Sequence, residues 1–305
     1  MVDRFVIVTK RTRLEELVDE YSTEGAAAFT LEMAGDSISR YQREHQQYQR
    51  SLDAIYRQLP TDAGVVTVSR SDLPTFLFRE KDLVIVCGPD GLFVNLAQYL
   101  GDQLVLGINP DPRTIAGNLM PFAAEEVGDV IGRLASGKGR VEELPFVRAA
   151  TDEQHVVWGI NDIFVGRLDH VSARYKISFQ GREEHHSSSG VIISTGVGSQ
   201  AWLRSIVTMV EALTDSRDHL LADLPGITDP ELVFVVREPF PSPQTGAYIV
   251  TGRVVNDRPL QLTCEMPKGG VFFSDGMVDQ AMEWPAGSTL TVSVGERVVR
   301  RLVRG

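Results

Sequence analysis

Residues 84–100, VIVCGPDGLFVNLAQYL, run from an apolar stretch through Gly, Pro, Asp and Gly into residues with apolar positions at helical spacing. That is a strand, a tight turn and a helix. At the carboxyl end of a strand in an open α/β sheet, helix N-termini present unpaired N–H groups to ligands. Gly88 and Gly91 would there let the backbone approach a phosphate, and Asp90 faces the same space. A type I turn accounts for the same residues, with Pro at its second position, Gly at its fourth and Asp between them.

Working outward, RFVIVTK (4–10), GVVTVSR (64–70) and QLVLGIN (103–109) are further compact strand candidates. RTRLEELVDEY (11–21) and SISRYQREHQQYQRSLDAIYRQL (37–59) are amphipathic helices, the second ended by Pro60. Strands alternating with helices predict a parallel sheet buried on both faces, which is why the runs are nearly continuous in apolar residues. Residues 1–125 therefore read as a doubly wound, Rossmann-like α/β domain. The texture changes near SGKGRVEELPF (136–146). Beyond it, VVWGINDIFVGR (156–167), ARYKISFQG (173–181), GVIISTG (190–196), ELVFVVREPF (231–240), GAYIVTGRVV (246–255) and TLTVSVGERVV (289–299) are short strands between Gly, Pro and Asp turns. One helix, SQAWLRSIVTMVEAL (199–213), interrupts them, so the second domain is mostly β.

The 305 residues allow two domains of ordinary size, and 43% hydrophobic with 23% charged residues is normal for a soluble globular protein. Forty-one acidic residues outnumber thirty basic ones, which disfavours broad attraction to nucleic acid or anionic lipid. Any phosphate site must be local. Cys87 and Cys264 lie too far apart for a disulfide framework or metal-ligand spacing, the first residues are unlike a signal or transit peptide, and no window approaches the length that spans a bilayer. The expectation is a cytoplasmic protein without membrane or nucleic-acid partners.

Three more stretches carry candidate chemistry. In GVIISTGVGSQAWLRSI (190–206) a strand runs into Gly196 and Gly198, and Ser199 stands where a helix N-cap is expected; the junction could hold an anionic or hydroxyl-rich ligand or be an ordinary Gly-rich connection. Trp202 could stack on a base or fill core. In GINDIFVGRLDHVSARY (159–175), Asn161 and Asp162 could hydrogen-bond ribose hydroxyls or begin a bulge or turn. In GINPDPRTIAGNLMPF (107–122), Asn109, Asp111 and Arg113 could line a ligand cleft or only connect elements. Arg113, Arg174 and Arg237 are candidate phosphate clamps, each with a surface ion-pair alternative. His185 and His186 lack metal-ligand spacing and read as part of a solvated hairpin. Cys87 reads as a buried thiol, SSSG as no nucleophile elbow, and RVVRRLVR (297–304) as a strand with solvated charges.

Taken together and in this order, these stretches resemble the NAD kinase family, specifically its mitochondrial-type branch and bacterial relatives. GPDGL stands in place of the family's Gly-Gly-Asp-Gly turn, with Gly88, Asp90 and Gly91 matching. LGINPDPRTIAGNLMPF resembles the branch's Gly-Val-Asn-x-Asp-Pro-x-Arg loop, NDIFVG with SARYKIS resembles the Asn-Glu hallmark and its following strand, SSSGVIISTGVGSQAW resembles the Gly-rich hallmark, and FFSDGMVD resembles a later Asp-Gly turn. The likeness runs from about Arg4 to the C-terminus.

The resemblance implies an α/β domain of residues 1–125 joined by about 285–305, a β-sandwich NAD-binding domain of 126–284, and an active site between them in a homodimer or homotetramer. It implies transfer of the γ-phosphoryl group of ATP, or of polyphosphate in some members, to the adenosine-ribose 2'-hydroxyl of NAD or NADH. A divalent metal, Mg2+, would bridge the phosphates. Asp90 would orient that hydroxyl and accept its proton. Gly88, Gly91, Asn109 and Arg113 would serve the phosphates, and Asn161 and Asp162 would hold NAD. Ser189, Thr195, Gly196, Gly198, Ser199, Ala201 and Trp202 would shape its pocket. The chain departs from the pattern at Pro89, which lacks an N–H and fixes φ, at Leu92 in place of Thr, at Asp162 in place of Glu, at Ser189 in place of Asp, at Trp202 in place of Tyr, and at Val197 and Gln200. A kinase of the same superfamily acting on a sugar, lipid or nucleoside, and a catalytically silent dinucleotide sensor, are the alternatives.

Overall fold

All six residues of Asp82–Cys87 are buried, as a strand covered on both faces requires. The computed structural model describes residues 2–114, 117–214, 223–255 and 258–305. The chain forms two compact units, Met1–Glu142 with Val299–Gly305, and Glu143–Val298.

The first unit contains β1 (Arg4–Thr9), α1 (Arg13–Tyr21), α2 (Glu24–Met33), α3 (Ile38–Gln58), β2 (Gly64–Ser69), β3 (Asp82–Cys87), α4 (Asp90–Ala97), β4 (Leu104–Ile108) and α5 (Val127–Ala135). Its strands are parallel in the order β2-β1-β3-β4, and Arg300 and Arg301 of the last strand pair in parallel with Leu104 and Val105 of β4. Phe5 and Ile7 of β1, Leu83 and Ile85 of β3, and Leu106 and Ile108 of β4 form one core with Tyr48, Ala54 and Ile55 of α3 and Val127 and Val130 of α5. The buried residues of α3 fall at helical spacing, which turns its apolar stripe to the sheet. The Tyr48 hydroxyl accepts from Lys10 N–H and donates to the Cys87 carbonyl, each at 3.1 Å. α3 thereby fixes the carboxyl end of β3, where the GPDG turn begins.

The second unit contains β5 (Arg140–Thr151, whose first three residues lie in the first unit), β6 (Val156–Gly159), β7 (Asp162–Gly166), β8 (Ala173–Phe179), β9 (Arg182–Ser188), β10 (Val191–Ser194), α6 (Trp202–Thr214), β11 (Leu232–Val236), β12 (Thr251–Val254), β13 (Leu260–Cys264), β14 (Val271–Ser274), β15 (Met282–Glu283) and most of β16 (Thr289–Val303). One sheet runs β16-β13-β8-β9, with β5 on β16 and β6 on β5; the other runs β12-β11-β10-β7-β14-β15. Alternation decides which side chains face the space between them. Ile163 and Val165 of β7, Val191 and Ile193 of β10 and Phe272 of β14 enter the common core with Tyr175, Leu262 and Val292 from the other sheet. Their neighbours Phe164, Ile192 and Phe273 face outward, where Trp202 and Ile206 of α6 cover them. The architecture is thus an α/β unit with a parallel sheet and a β-sandwich unit.

The units divide at 142/143 and 298/299, where the sequence places the divisions at 125/126 and 284/285. α5 packs on the parallel sheet and so stays with the first unit, whereas most of β16 pairs with β13. The predicted strand over VVWGINDIFVGR is two strands, broken at Ile160 and Asn161. His186 is not solvated: it points inward on β9, stacks on Tyr175 at 5.5 Å, and meets Glu184 at 2.8 Å. Arg301 likewise departs from the expectation of solvated charges on the last strand, being 5% exposed. No helix among the described residues is long and apolar enough to cross a membrane.

Candidate active site

In the first unit the GPDG turn is a helix entry. Gly88 N–H donates to the Ile108 carbonyl, which ties the turn to β4. Pro89 is the N-cap of α4 at φ −77°, a value proline adopts without strain, and Asp90 opens the first helical turn. A Cβ on Gly88 would lie 3.0 Å from Leu92 Cδ2, so Leu92 fills the space that glycine leaves. Gly91 faces open space.

The half-buried Asp90 carboxylate accepts from Asn118 N–H through Oδ2 at 3.0 Å and from Leu119 N–H through Oδ1 at 3.1 Å. A carboxylate has about four lone-pair positions, so each oxygen keeps room for a further donor. Burial pushes the Asp90 carboxyl above the usual range, against the two N–H donors and the Arg301 charge. That direction makes it a better proton acceptor.

The loop carrying those donors lies against β4. Asn109 N–H donates to the Phe122 carbonyl and Phe122 N–H to the Gly107 carbonyl. A Cβ on Gly107 would meet the Leu119 carbonyl at 2.5 Å, so glycine there permits the close approach. Asn109 is buried and its side-chain oxygen accepts from Asp111 N–H, which makes it a builder of the loop. Arg113 has a side chain 86% exposed, 3.5 Å from Asp111, the geometry of a surface ion pair.

In the second unit two turns interlock. The Asp275 carboxylate accepts from the N–H groups of Ile160 at 3.0 Å, Asn161 at 2.7 Å and Asp162 at 3.2 Å, which breaks the strand and bends it into a cradle. Thr195 N–H donates to the Asn161 carbonyl at 2.9 Å, and its hydroxyl donates to the Ile160 carbonyl while accepting from Val197 and Gly198 N–H. Thr195 therefore organises the helical entry expected of Ser199. The Ser199 hydroxyl instead donates to the Gly196 carbonyl at 2.6 Å.

The glycines at 196 and 198 are demanded by the protein's own backbone. A Cβ on Gly196 would sit 1.8 Å from the Gly226 carbonyl oxygen, and one on Gly198 would sit 2.1 Å from the Asn161 carbonyl oxygen. Gly198→Ala is expected to destabilise the fold by about 1–3 kcal/mol, because a backbone atom cannot rotate away. Urea unfolding checks this; an unchanged midpoint contradicts the interlock.

With its backbone pinned this way, the Asn161 side-chain amide and the Asp162 carboxylate have no hydrogen-bond partner among the described residues. Asp162 is only 4% exposed, and burial together with the nearby Asp275 charge pushes its carboxyl up to about 7. A rigid turn presenting an unpartnered amide and carboxyl suits a ligand rich in hydroxyl and amide groups. Trp202 stacks on Phe164 at 5.8 Å and lies under the Arg237 guanidinium at 5.2 Å, so both side chains are engaged in packing. Ser189 and Arg237 bond through their backbones, and Ala201 N–H donates to the Gly198 carbonyl. Among the described residues no three His, Cys, Asp or Glu side chains gather to hold a metal ion.

Asn118, Leu119, Asp275 and Arg301 were absent from the sequence-derived site. Asp275 had a signal in the SDG turn after a strand, and its φ of +52° is one that Asp tolerates better than most residues. Backbone donors such as Asn118 and Leu119 leave no signal in residue type.

No protein-family profile matches the chain. It is 29% identical over 126 residues to an NAD kinase of Halorubrum lacusprofundi, covering 40% of this chain and 46% of that one. It is 23% identical over 313 aligned positions to mitochondrial NAD kinase 2 of Homo sapiens, covering 77% and 70%. The matched stretch thus spans about half the length of the haloarchaeal relative. Two solved structures share the fold: an NAD kinase from Archaeoglobus fulgidus in complex with ATP, at TM-score 0.59, 16% identity and coverage of 98% and 93%, and yeast NADH kinase complexed with NADH, at TM-score 0.61, 13% identity and coverage of 100% and 84%.

Proposed function

We propose that this chain, a member of the NAD kinase family, moves the γ-phosphoryl group of ATP to the adenosine-ribose 2'-hydroxyl of NAD or NADH, giving NADP or NADPH. The observation that carries this reading is the Asp90 carboxylate at the start of α4. It is held by two backbone donors, raised in basicity by burial, and left with lone pairs for a substrate hydroxyl. Phosphoryl transfer asks a protein mainly for positioning and charge neutralisation, with one group to take the nucleophile's proton. In this reading Asp90 orients the 2'-hydroxyl and receives its proton as the bond to the γ-phosphorus forms and the bond to the departing ADP oxygen breaks. The unpartnered Asn161 amide and Asp162 carboxyl hold the dinucleotide.

The chain's carboxylates form no cage for a resident metal among the described residues. We read the metal as Mg2+ entering with ATP, held by the phosphates as part of the substrate. Pro89 removes one N–H from the phosphate-facing turn without disturbing its backbone. The free, buried Cys87 and Cys264 support a reducing compartment such as the cytoplasm, and the reading extends to a homodimer or homotetramer, which light scattering would size.

Purified protein incubated with ATP, Mg2+ and either NAD or NADH is expected to give a 2'-phosphorylated dinucleotide, detected by an NADP-specific dehydrogenase. Polyphosphate in place of ATP tests the donor. Dinucleotide binding with no product from either donor would sink the phosphotransfer reading and leave a binding protein.

A further inference from the structure

The last strand ends in the first unit, and Arg301 within it and Arg304 just beyond it grip the loop that serves Asp90. Arg301 Nη1 donates to the Asn118 carbonyl at 2.8 Å, and Nη2 donates to Glu142 Oε2 at 2.9 Å. Arg304 Nε donates to the Pro121 carbonyl at 2.9 Å, with its guanidinium 5.8 Å from the Phe122 ring centre. Asn118 thus accepts from Arg301 through its carbonyl while donating to Asp90 through its N–H. Carboxylate, loop peptide, guanidinium and Glu142 form one continuous chain of hydrogen bonds.

Arg301 differs from the neighbouring clamp in burial. It is 5% exposed, and its Nε is buried with no acceptor among the described residues. A buried guanidinium with an unmatched donor is an expensive way to close a sheet, since an apolar side chain of similar volume is often neutral or stabilising there. Its forked, planar donor set also suits bridging two acceptors in fixed directions better than an ammonium does.

We propose that Arg301 is a positioning residue for Asp90: by bridging the Asn118 carbonyl to Glu142, it holds the Asn118 and Leu119 N–H groups on the carboxylate. Its role in turnover rests on the reading of Asp90 as the base in phosphoryl transfer, whereas the grip itself does not. The absence of a guanidinium lets the loop peptide turn, the carboxylate loses its two fixed donors, and the acceptor oxygen moves relative to the ribose hydroxyl. A misplacement of about 1 Å in such a geometry costs about 10²-fold in rate.

Backbone amide hydrogen exchange and steady-state kinetics on the full chain test this with Arg301→Met and Arg301→Lys. In Arg301→Met, protection at Asn118 and Leu119 should fall about tenfold, the worth of one hydrogen bond, with β1 and β3 unchanged. kcat for NAD should fall up to about 10²-fold with little change in KM. Arg301→Lys keeps the charge and one bond and should lie between; it also serves if the Met variant does not fold. In an Asp90→Asn background, Arg301→Met should cost no further activity, because the group it positions is gone. Unchanged protection in a folded variant, a rise in KM alone, or a full additional loss on top of Asp90→Asn overturns the proposal. An inactive wild type would sink the phosphotransfer reading, and the exchange measurement would still decide whether Arg301 holds the loop.

Discussion

Asp90→Asn is expected to lower kcat by about 10²- to 10⁴-fold, the worth of general-base help to a reacting hydroxyl. The amide preserves the shape of the side chain and can accept from one of the two loop donors, but it cannot take a proton. Its NH2 group faces the other donor, so one N–H of Asn118 or Leu119 loses its partner. That unmet bond costs about 1–3 kcal/mol locally, which a thermal unfolding measurement separates from the kinetic loss. Dinucleotide affinity by calorimetry should change far less than kcat, since the role proposed for Asp90 is exerted as the proton leaves. A folded Asp90→Asn protein that turns over within a few-fold of wild type would remove the carboxylate from the mechanism.

The second large effect concerns stability against pH. The Asp162 carboxyl is pushed from the ordinary 3.8 up to about 7 by burial and by the Asp275 charge. A carboxyl raised in the folded state binds its proton more tightly there than in the unfolded chain. Its stabilising contribution is therefore full below the ordinary value and is lost as pH climbs to about 7. At about 1.4 kcal/mol per pH unit, the loss between those limits is about 4 kcal/mol. Asp162→Asn, neutral at every pH, should flatten that part of the stability curve and make the protein more stable than wild type at pH 8, by up to the same amount. Urea unfolding at pH 5 and pH 8 reads both. Parallel curves for wild type and variant would show that Asp162 does not carry the burial cost assigned to it. A destabilising carboxylate on a rigid turn fits a group kept for binding, and perturbed titration of this kind clusters at functional sites. The same variant should bind dinucleotide more weakly at pH 8.

The runs RFVIVTK, DLVIVCG and QLVLGIN were legible as parallel strands because burial on both faces leaves them nearly continuous in apolar residues. The strands of the second unit were legible as short runs between Gly, Pro and Asp turns. EGAAAFTLEM carries no amphipathic signal, because its apolar residues do not gather on one face. REEHHSS hid a buried His186 among charges, because its inward position follows from the register with β8.

Residue order alone determined an α/β half and a mostly β half, because strand, turn and helix signals are local, whereas Asp90, Asn161 and Asp162 were singled out as site residues by the resemblance of their stretches to the NAD kinase family. The tertiary structure decided what surrounds those groups. Asp90's two donors lie 28 and 29 residues away, Asp275 reaches back 113 residues to the Asp162 N–H, and Arg301 reaches back 183 to the Asn118 carbonyl. Backbone N–H and C=O groups are the same at every residue, so only the folded path of the chain could select which of them meet these side chains.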